Sequence, residues 1–339
     1  MKAFPWHRPM LQRLLADRAH LPHALLVHGP AGIGKTEFAY ALAAGALCEA
    51  PREGLACEAC PSCHWFSQGN HPDYRQVIPE AAAEEDAEAA EADSAKAEKA
   101  KSLVIKIDQI RAVGDFIALS THRAGLRVLV VNPAEAMHPS AANALLKTLE
   151  EPPPGTLIVM VSHRISRLLA TIRSRCRQLA LPVPPRAEAL AWLKAEGVPQ
   201  PESALAAAGG APLLARELAA PEEAELRRKL LQELAKPSGA DVLTFASTVE
   251  RGSVERIVYW MQTWIQDLVR VKLAGAARHH GEHAAALQAR ARGASLEALF
   301  ALDRELGQAR RLATHPLNPR LVAEHLLMAY NQATSGVKP

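Results

Sequence analysis

One glycine-rich segment constrains the fold more than any other feature of the sequence. Residues 29–36 are GPAGIGKT, which matches the pattern of a phosphate-binding loop (P-loop). A strand is predicted before it, at Ala24–His28, and a helix after it, at about Lys35–Leu47, which is the context that the motif requires. Lys35 would reach the terminal phosphates, and the Thr36 hydroxyl would hold Mg²⁺. The residues predicted to bind nucleotide are Gly29, Gly32, Gly34, Lys35 and Thr36.

Hydrolysis needs an acidic residue at the end of a neighbouring strand, to hold Mg²⁺ and to position water. The best candidate strand, Leu126–Val131, is followed by Asn132 where an aspartate is expected and by Pro133 where a glutamate would act as base. Glu135 comes two positions late. A buried strand followed by a turn also explains these residues. We therefore expect little or no ATPase activity from this pocket, and binding of ATP and Mg²⁺ stays open.

The first 182 residues alternate short apolar runs with helical stretches, a pattern typical of an α/β domain with a parallel sheet. Leu157–Val161 is a further predicted strand, and Ser140–Glu151 is a predicted helix that three prolines end. After Pro185 the strand signals stop. Three short helices are predicted there, at Glu188–Gly197, Ser203–Ala208 and Pro212–Ala219.

From about residue 222 onward the pattern is all helical. Two apolar stripes at helical spacing predict the core of a helix bundle, and Asn318-Pro319 predicts a cap and first turn for the last helix. The stripes are Ile257, Met261, Trp264 and Leu268, and Leu299, Leu302, Leu306 and Leu312.

Four of the five cysteines lie within 16 residues of one another, with the spacing Cys48-x8-Cys57-x2-Cys60-x2-Cys63. Two successive CxxC steps can bring four thiolates to one Zn²⁺ in a closed, structural tetrahedral site. An iron–sulfur cluster is the less favoured alternative, and four unrelated buried thiols fit poorly in a segment with few core residues. His64 is interpreted as a bystander, and Cys176 stands apart.

Composition sets wider limits. A chain of 339 residues is expected to form two or three domains, and a formal charge of +3 does not describe a broad nucleic-acid-binding face. The start of the sequence has no apolar signal core, and no run is long enough to cross a bilayer. The cytoplasm is therefore the expected compartment. Residues 80–102 are nearly all Ala, Glu, Asp and Lys, and they are predicted to form a solvated insertion.

Four stretches of the sequence together resemble a known family, the bacterial AAA+ clamp-loader subunits of DNA polymerase III. They are GPAGIGKT at 29–36, the four-cysteine insert, NALLKTLEEPP at 143–153 and SRCR at 174–177. Two further segments, Phe4-Pro-Trp6 and His71-Pro-Asp-Tyr74, are similar to the non-motor branch of the family rather than to its gamma/tau motor branch.

The resemblance implies an AAA+ α/β domain with a zinc-binding insert (1–182, cysteine module 48–63), a small helical lid (183–221), an all-α collar (222–334) and a tail (335–339). It implies a hetero-oligomeric ring with motor (gamma/tau) and delta subunits, which opens the sliding clamp and places it on primed DNA. No polymerase chemistry is expected of the chain itself. Pro212 stands where a motor subunit has a lid arginine that touches the γ-phosphate, which is consistent with a stator role.

The resemblance also assigns Arg175 as an arginine finger that acts in trans on ATP held by the neighbouring motor subunit. A solvated cluster of Arg173, Arg175 and Arg177 is the plainer interpretation. Cys176 is expected to be buried and to leave Arg175 projecting.

Three alternatives remain open at this stage. The first is an active motor ATPase of the same family, against which the missing acids argue. The second is a zinc-bearing P-loop phosphotransferase acting on a small metabolite, for which no substrate-binding constellation is found. The third is a DNA-binding module, which the few basic residues of segment 48–63 disfavour.

Overall fold

The structure is a computed structural model that describes residues 3–82, 102–118, 125–236, 240–250, 252–312 and 318–335. The chain divides into two units, Met1–Glu188 and Ala189–Pro339. Most of the predicted insertion at 80–102 and of the tail at 335–339 lies outside the described residues, as does the side chain of Leu312.

A five-stranded parallel sheet forms the centre of the first unit, in the order β2-β3-β4-β1-β5. The two strands β3 and β4 are buried along their whole length, as expected where helices cover both faces of a parallel sheet. This burial is why both sequences are nearly continuous apolar runs. The strands are β1 (Ala24–His28), β2 (Tyr74–Val77), β3 (Arg127–Val131), β4 (Thr156–Ser162) and β5 (Arg177–Ala180).

Helix α2, which follows the P-loop, is buried around most of its circumference and is accordingly apolar on all sides. It packs closely against α1, because a Cβ added at Gly45 would lie 2.4 Å from the side chain of Leu15. The helices of this unit are α1 (Arg8–Leu15), α2 (Lys35–Leu47), α3 (Pro61–Ser67), α4 (Ile107–Ala118), α5 (Pro139–Glu150) and α6 (Ala170–Arg175).

The second unit is helical throughout its described residues. The predicted stripe of Ile257, Met261, Trp264 and Leu268 is confirmed as core, since each of these side chains is at most 1% exposed. The helices are α7 (Arg186–Ala195, in which the boundary falls), α8 (Pro201–Ala207), α9 (Pro212–Leu218), α10 (Pro221–Ala235), α11 (Val242–Ala246), α12 (Val254–Ala274), α13 (Ala284–Gly293), α14 (Leu296–Leu312) and α15 (Pro319–Thr334).

Buried polar groups tie these helices together. Trp264 on α12 donates its indole N–H to the hydroxyl of Tyr330 on α15 (3.1 Å), and that hydroxyl donates to the carbonyl of Leu234 on α10 (2.7 Å). Asp267, which is fully buried, accepts the backbone N–H groups of residues 278–280 and so holds the segment after α12. Such fully satisfied networks favour one specific packing of the core.

The architecture of the predicted fold class is confirmed, because the described residues form a P-loop α/β domain with a parallel sheet followed by an all-helical part. The strand at 24–28 and the helix at 35–47 have the predicted bounds, and the cap at Asn318 is present, where the side chain accepts the N–H of Arg320 (3.0 Å). The division of the helical part into a lid and a collar stays a prediction.

Candidate nucleotide pocket and cysteine site

The P-loop glycines adopt the backbone conformations that the motif requires. Gly29, Gly32 and Gly34 have φ values of 148°, 73° and 86°, a region that other residues rarely enter. Space is equally restrictive, since a Cβ on Gly29 would lie 2.5 Å from the carbonyl oxygen of Leu181 and one on Gly34 would lie 2.7 Å from the ring of Phe4. Both glycines are therefore required for packing as well as for conformation.

Lys35 and Thr36 begin α2 at the base of this loop. Lys35 is 3% exposed, and its ammonium donates a hydrogen bond to the carbonyl oxygen of Pro30 (2.6 Å). Burial lowers the pKa of Lys35 to about 8, against the opposing effect of the Glu135 and Glu37 carboxylates. The lysine thus carries a poorly solvated charge, for which phosphate oxygens would be suitable partners.

The end of β3 lies beside the loop, as the sequence predicts. The Asn132 amide donates to the hydroxyl of Thr36 (3.2 Å), so the residue in the place of the expected aspartate does contact the hydroxyl that the motif predicts to bind Mg²⁺. Glu135 is committed elsewhere, because one of its carboxylate oxygens accepts the backbone N–H groups of His163 and Arg164 after β4, both at 2.9 Å. Its capping role was missed from the sequence.

Three polar oxygens at these strand ends are buried and have no hydrogen-bond partner among the described residues. They are Asn132 Oδ1, Glu135 Oε2 and Ser162 Oγ. Buried oxygens of this kind usually have a partner in the native state. Together with Lys35 they fit a bound nucleotide phosphate with its cation, although the neutral amide of Asn132 is a weaker Mg²⁺ ligand than a carboxylate.

The N-terminal segment packs directly on the P-loop, a contact that has no local sequence pattern and was not predicted. The Trp6 indole donates to the carbonyl oxygen of Ile33 (3.1 Å), and Phe4 stacks on Trp6 with ring centroids 4.7 Å apart. His7 is buried among the rings of Phe4, Trp6 and Phe38. Burial lowers the pKa of His7 to about 4.

The four predicted cysteine ligands meet at one point. All four sulfur atoms lie within 4.8 Å of one another, and the Cys48–Cys60 and Cys57–Cys63 pairs are each 3.9 Å apart. Four thiolates bound at about 2.3 Å around a tetrahedral Zn²⁺ would be roughly 3.8 Å apart, so the cluster has nearly the required size.

Backbone groups already orient these sulfurs. The N–H groups of Cys57, Cys60 and Cys63 point to the sulfurs of Cys48, Cys57 and Cys60 at 3.3–3.4 Å. The N–H of Ala59 is the main cause that lowers the pKa of Cys57 to about 6. Thiolates are the metal-binding form, so such donors favour ligation.

Arg175 ends α6, immediately before the edge strand β5. Its guanidinium pairs with Glu150 at the end of α5, and it also donates to the carbonyl oxygen of Thr171 (3.0 Å). The side chain is 34% exposed, so it lies against the helix surface rather than projecting freely. Cys176 is buried, as predicted, and burial raises its pKa to about 12, which makes it a structural thiol.

Sequence comparisons cover most of the chain. The model of the family described as DNA polymerase III, delta subunit, matches residues 8–185, and that of DNA polymerase III, delta subunit, C terminal, matches residues 221–332. DNA polymerase III subunit delta' of Escherichia coli is 32% identical over 290 residues, which cover 83% of this chain and 78% of that protein. The chain belongs to the DNA polymerase III delta-prime family.

Other delta-prime relatives match over different lengths. The protein of Pseudomonas aeruginosa is 38% identical over 69% of this chain, and the match spans just under two thirds (66%) of that relative's length. The protein of Yersinia pestis is 29% identical over 99% of this chain and 97% of its own. Among solved structures, a gamma-subunit-related protein of Thermotoga maritima has 20% identity and a TM-score of 0.44, covering 96% of this chain and 99% of that one. A likeness this weak supports no inference.

In this delta-prime family member the predicted site residues form two groups. The P-loop residues and the end of β3 meet in one place, and the four cysteines meet in another. Pro212, at the first turn of α9, is buried and offers no charge at the position predicted to lack a lid arginine. Within the described residues, none of the helices combines the length and apolarity needed to cross a membrane.

Proposed function

We propose that this chain is the delta-prime, or stator, subunit of the clamp loader of DNA polymerase III. In this role it assists ATP-dependent loading of the sliding clamp onto primed DNA, in a ring with motor (gamma/tau) and delta subunits in the cytoplasm. The observation that carries the proposal is a complete P-loop beside a strand end that has Asn132-Pro133 in place of the acids. Such a pocket can hold nucleotide without efficient hydrolysis, which suits a subunit that supports its neighbours.

A co-purification experiment tests this assignment. The tagged chain, expressed in its own host, should retain clamp-loader motor and delta subunits at high salt, and a reconstituted ring lacking it should fail to load clamps. The purified chain alone should show negligible ATPase activity. Robust turnover by the isolated chain, lost in Lys35→Ala, would instead identify an active motor subunit, the alternative that the complete P-loop keeps open.

We propose one structural Zn²⁺ per chain, held by Cys48, Cys57, Cys60 and Cys63. The size of the sulfur cluster and its backbone N–H donors support this choice. Four thiolates would leave no open coordination position, so the metal would order the loop between α2 and α3 rather than take part in a reaction.

We also propose that Arg175 acts on ATP bound by the neighbouring motor subunit. Its planar fork suits phosphate oxygens, and arginine fingers supplied in trans contribute about 10³–10⁵ to the rate at their own site. The pair with Glu150 does not prevent this, because partly exposed ion pairs are worth only about 0.2–1 kcal/mol. Release of Arg175 from Glu150 would therefore cost little free energy.

Arg175→Ala should leave folding, zinc content and ring assembly intact, lower ATP hydrolysis by the share of one site and impair clamp loading more severely. Lys at this position should rescue poorly, since it lacks the fork. Arg177→Ala is the matched control, because Arg177 is exposed and lies two residues further on, in β5. A wild-type rate of clamp loading by the Arg175→Ala ring would refute the role.

A further inference from the structure

His71 and Ser62 form a buried relay beside the cysteine cluster, and nothing in the proposed nucleotide or finger chemistry uses it. Both side chains are 1% exposed. Ser62 Oγ lies 2.7 Å from His71 Nε2 and donates to the carbonyl oxygen of Leu47 at 2.6 Å. His71 Nδ1 lies 3.0 Å from the backbone nitrogen of Asp73.

The hydrogen atoms of this relay can be assigned from its partners. The backbone N–H of Asp73 can only donate, so His71 Nδ1 is the acceptor and Nε2 carries the ring proton. Nε2 then donates to Ser62 Oγ, whose single proton goes to the carbonyl oxygen of Leu47. These hydrogen bonds are consecutive and have consistent donors and acceptors, as expected of a specific network.

The relay is placed between the two buried thiols. Ser62 directly precedes Cys63, and the carbonyl that it binds belongs to Leu47, which directly precedes Cys48. At its other end, the carbonyl oxygen of Asp73 accepts the N–H of Val128 at the start of β3. One chain of hydrogen bonds therefore connects the end of α2, the start of α3 and the edge of the sheet.

We infer that His71 and Ser62 are positioning residues for the metal site, which set the separation of Cys48 and Cys63 before and after metal binding. The inference rests on the proposed zinc site. This positioning role also gives a physical reason for the His-Pro-Asp segment at 71–73, which in the sequence is only a point of similarity to the family.

Two substitutions at position 71 separate the two halves of the relay. In His71→Gln the side-chain amide can still donate to Ser62 Oγ but no longer accepts from Asp73. In His71→Asn the side-chain oxygen can still accept from Asp73 but cannot reach Ser62. Ser62→Ala removes the bridge itself. Ser67→Ala is the matched control, because Ser67 lies on the same helix but is exposed and bonds only locally, to the carbonyl oxygen of His64.

The measurement is the rate of zinc release from the full-length chain to an excess of a chromophoric chelator, with the thermal midpoint recorded beside it. Ser62→Ala and His71→Asn should release zinc about tenfold or more faster than wild type, the size typical of lost outer-shell support. His71→Gln should fall between them and wild type, and Ser67→Ala should match wild type. Val159→Ala, a core change in β4, controls for faster release caused by general destabilisation.

The outcomes distinguish the two proposals. If the wild-type chain holds zinc, and Ser62→Ala and His71→Asn release it at the wild-type rate, the positioning role is wrong and the zinc site stands. The positioning role is also wrong if these variants release zinc no faster than Val159→Ala when their thermal midpoints are equal. A wild-type chain that binds no zinc would refute both proposals together.

Discussion

The burial of a histidine beside the P-loop predicts how the free energy of unfolding depends on pH. His7 is 3% exposed, and burial lowers its pKa from 6.5 to about 4. The folded chain therefore binds fewer protons at this position than the unfolded chain between these two values. The contribution of neutral His7 to stability is present above pH 6.5 and is lost as the pH falls toward 4.

The magnitude follows from the two pKa values. Between pH 7.5 and pH 5 the titration of His7 raises the equilibrium constant for unfolding by a factor of about 30, which lowers the free energy of unfolding by about 2 kcal/mol. Near pH 4 this decrease reaches about 3 kcal/mol. His7→Leu removes the titrating group at similar volume. The difference in unfolding free energy between this variant and wild type should shift by about 2 kcal/mol in favour of the variant between pH 7.5 and pH 5.

Hydrogen exchange of core amides in β3 and β4 measures this free energy for the first unit. Protonation of the cysteines affects wild type and variant alike, so it cancels in the difference. The reasoning would be refuted by parallel pH profiles of wild type and His7→Leu, or by NMR titration of the His7 ring with a midpoint near 6.5.

Three other predictions concern the two sites. Elemental analysis of protein purified without added metal should find about one zinc per chain. Less than about half an equivalent of zinc, with the cysteines reduced, would count against the site. Cys60→Ser should destabilise mainly the local loop. Lys35→Ala should abolish binding of a fluorescent ATP analogue, and unchanged binding would show that the pocket is not the P-loop. Gly34→Ala should cost roughly 1–3 kcal/mol more, by chemical denaturation, than Gly69→Ala, which has a similar φ but open space around it, and equal costs would exclude the Phe4 contact as the cause.

The elements with strong local signals could be predicted from the sequence. Motif and periodicity together located β1, α2 and the cluster of four cysteines, and α12 followed from its apolar stripe. The edge strands β2 and β5 could not be predicted, because each has only four residues and β5 is mostly exposed, so neither shows a continuous apolar run.

Contacts between distant segments escaped prediction for a different reason. Trp6 contacts the P-loop 27 residues later in the chain, and Glu135 caps the backbone after β4. Neither contact has a local pattern, since each depends on how the sheet brings strand ends together. The pair of Arg175 with Glu150 could not be predicted either, because it forms only when α5 and α6 pack together.

The residues of the complete P-loop, which lacks the catalytic acids beside it, have two different structural explanations. Gly29 and Gly34 are explained by packing alone, because Leu181 and Phe4 occupy the space that a side chain would need. Packing does not explain Lys35, whose buried ammonium has a single described hydrogen bond, to a carbonyl oxygen, and whose pKa burial lowers despite the opposing effect of the Glu135 and Glu37 carboxylates. A buried charge of this kind is costly unless a partner of opposite charge is present. Lys35 is therefore the residue of the motif that packing leaves unexplained, and a phosphate group, if the proposed nucleotide binds, would be its partner of opposite charge.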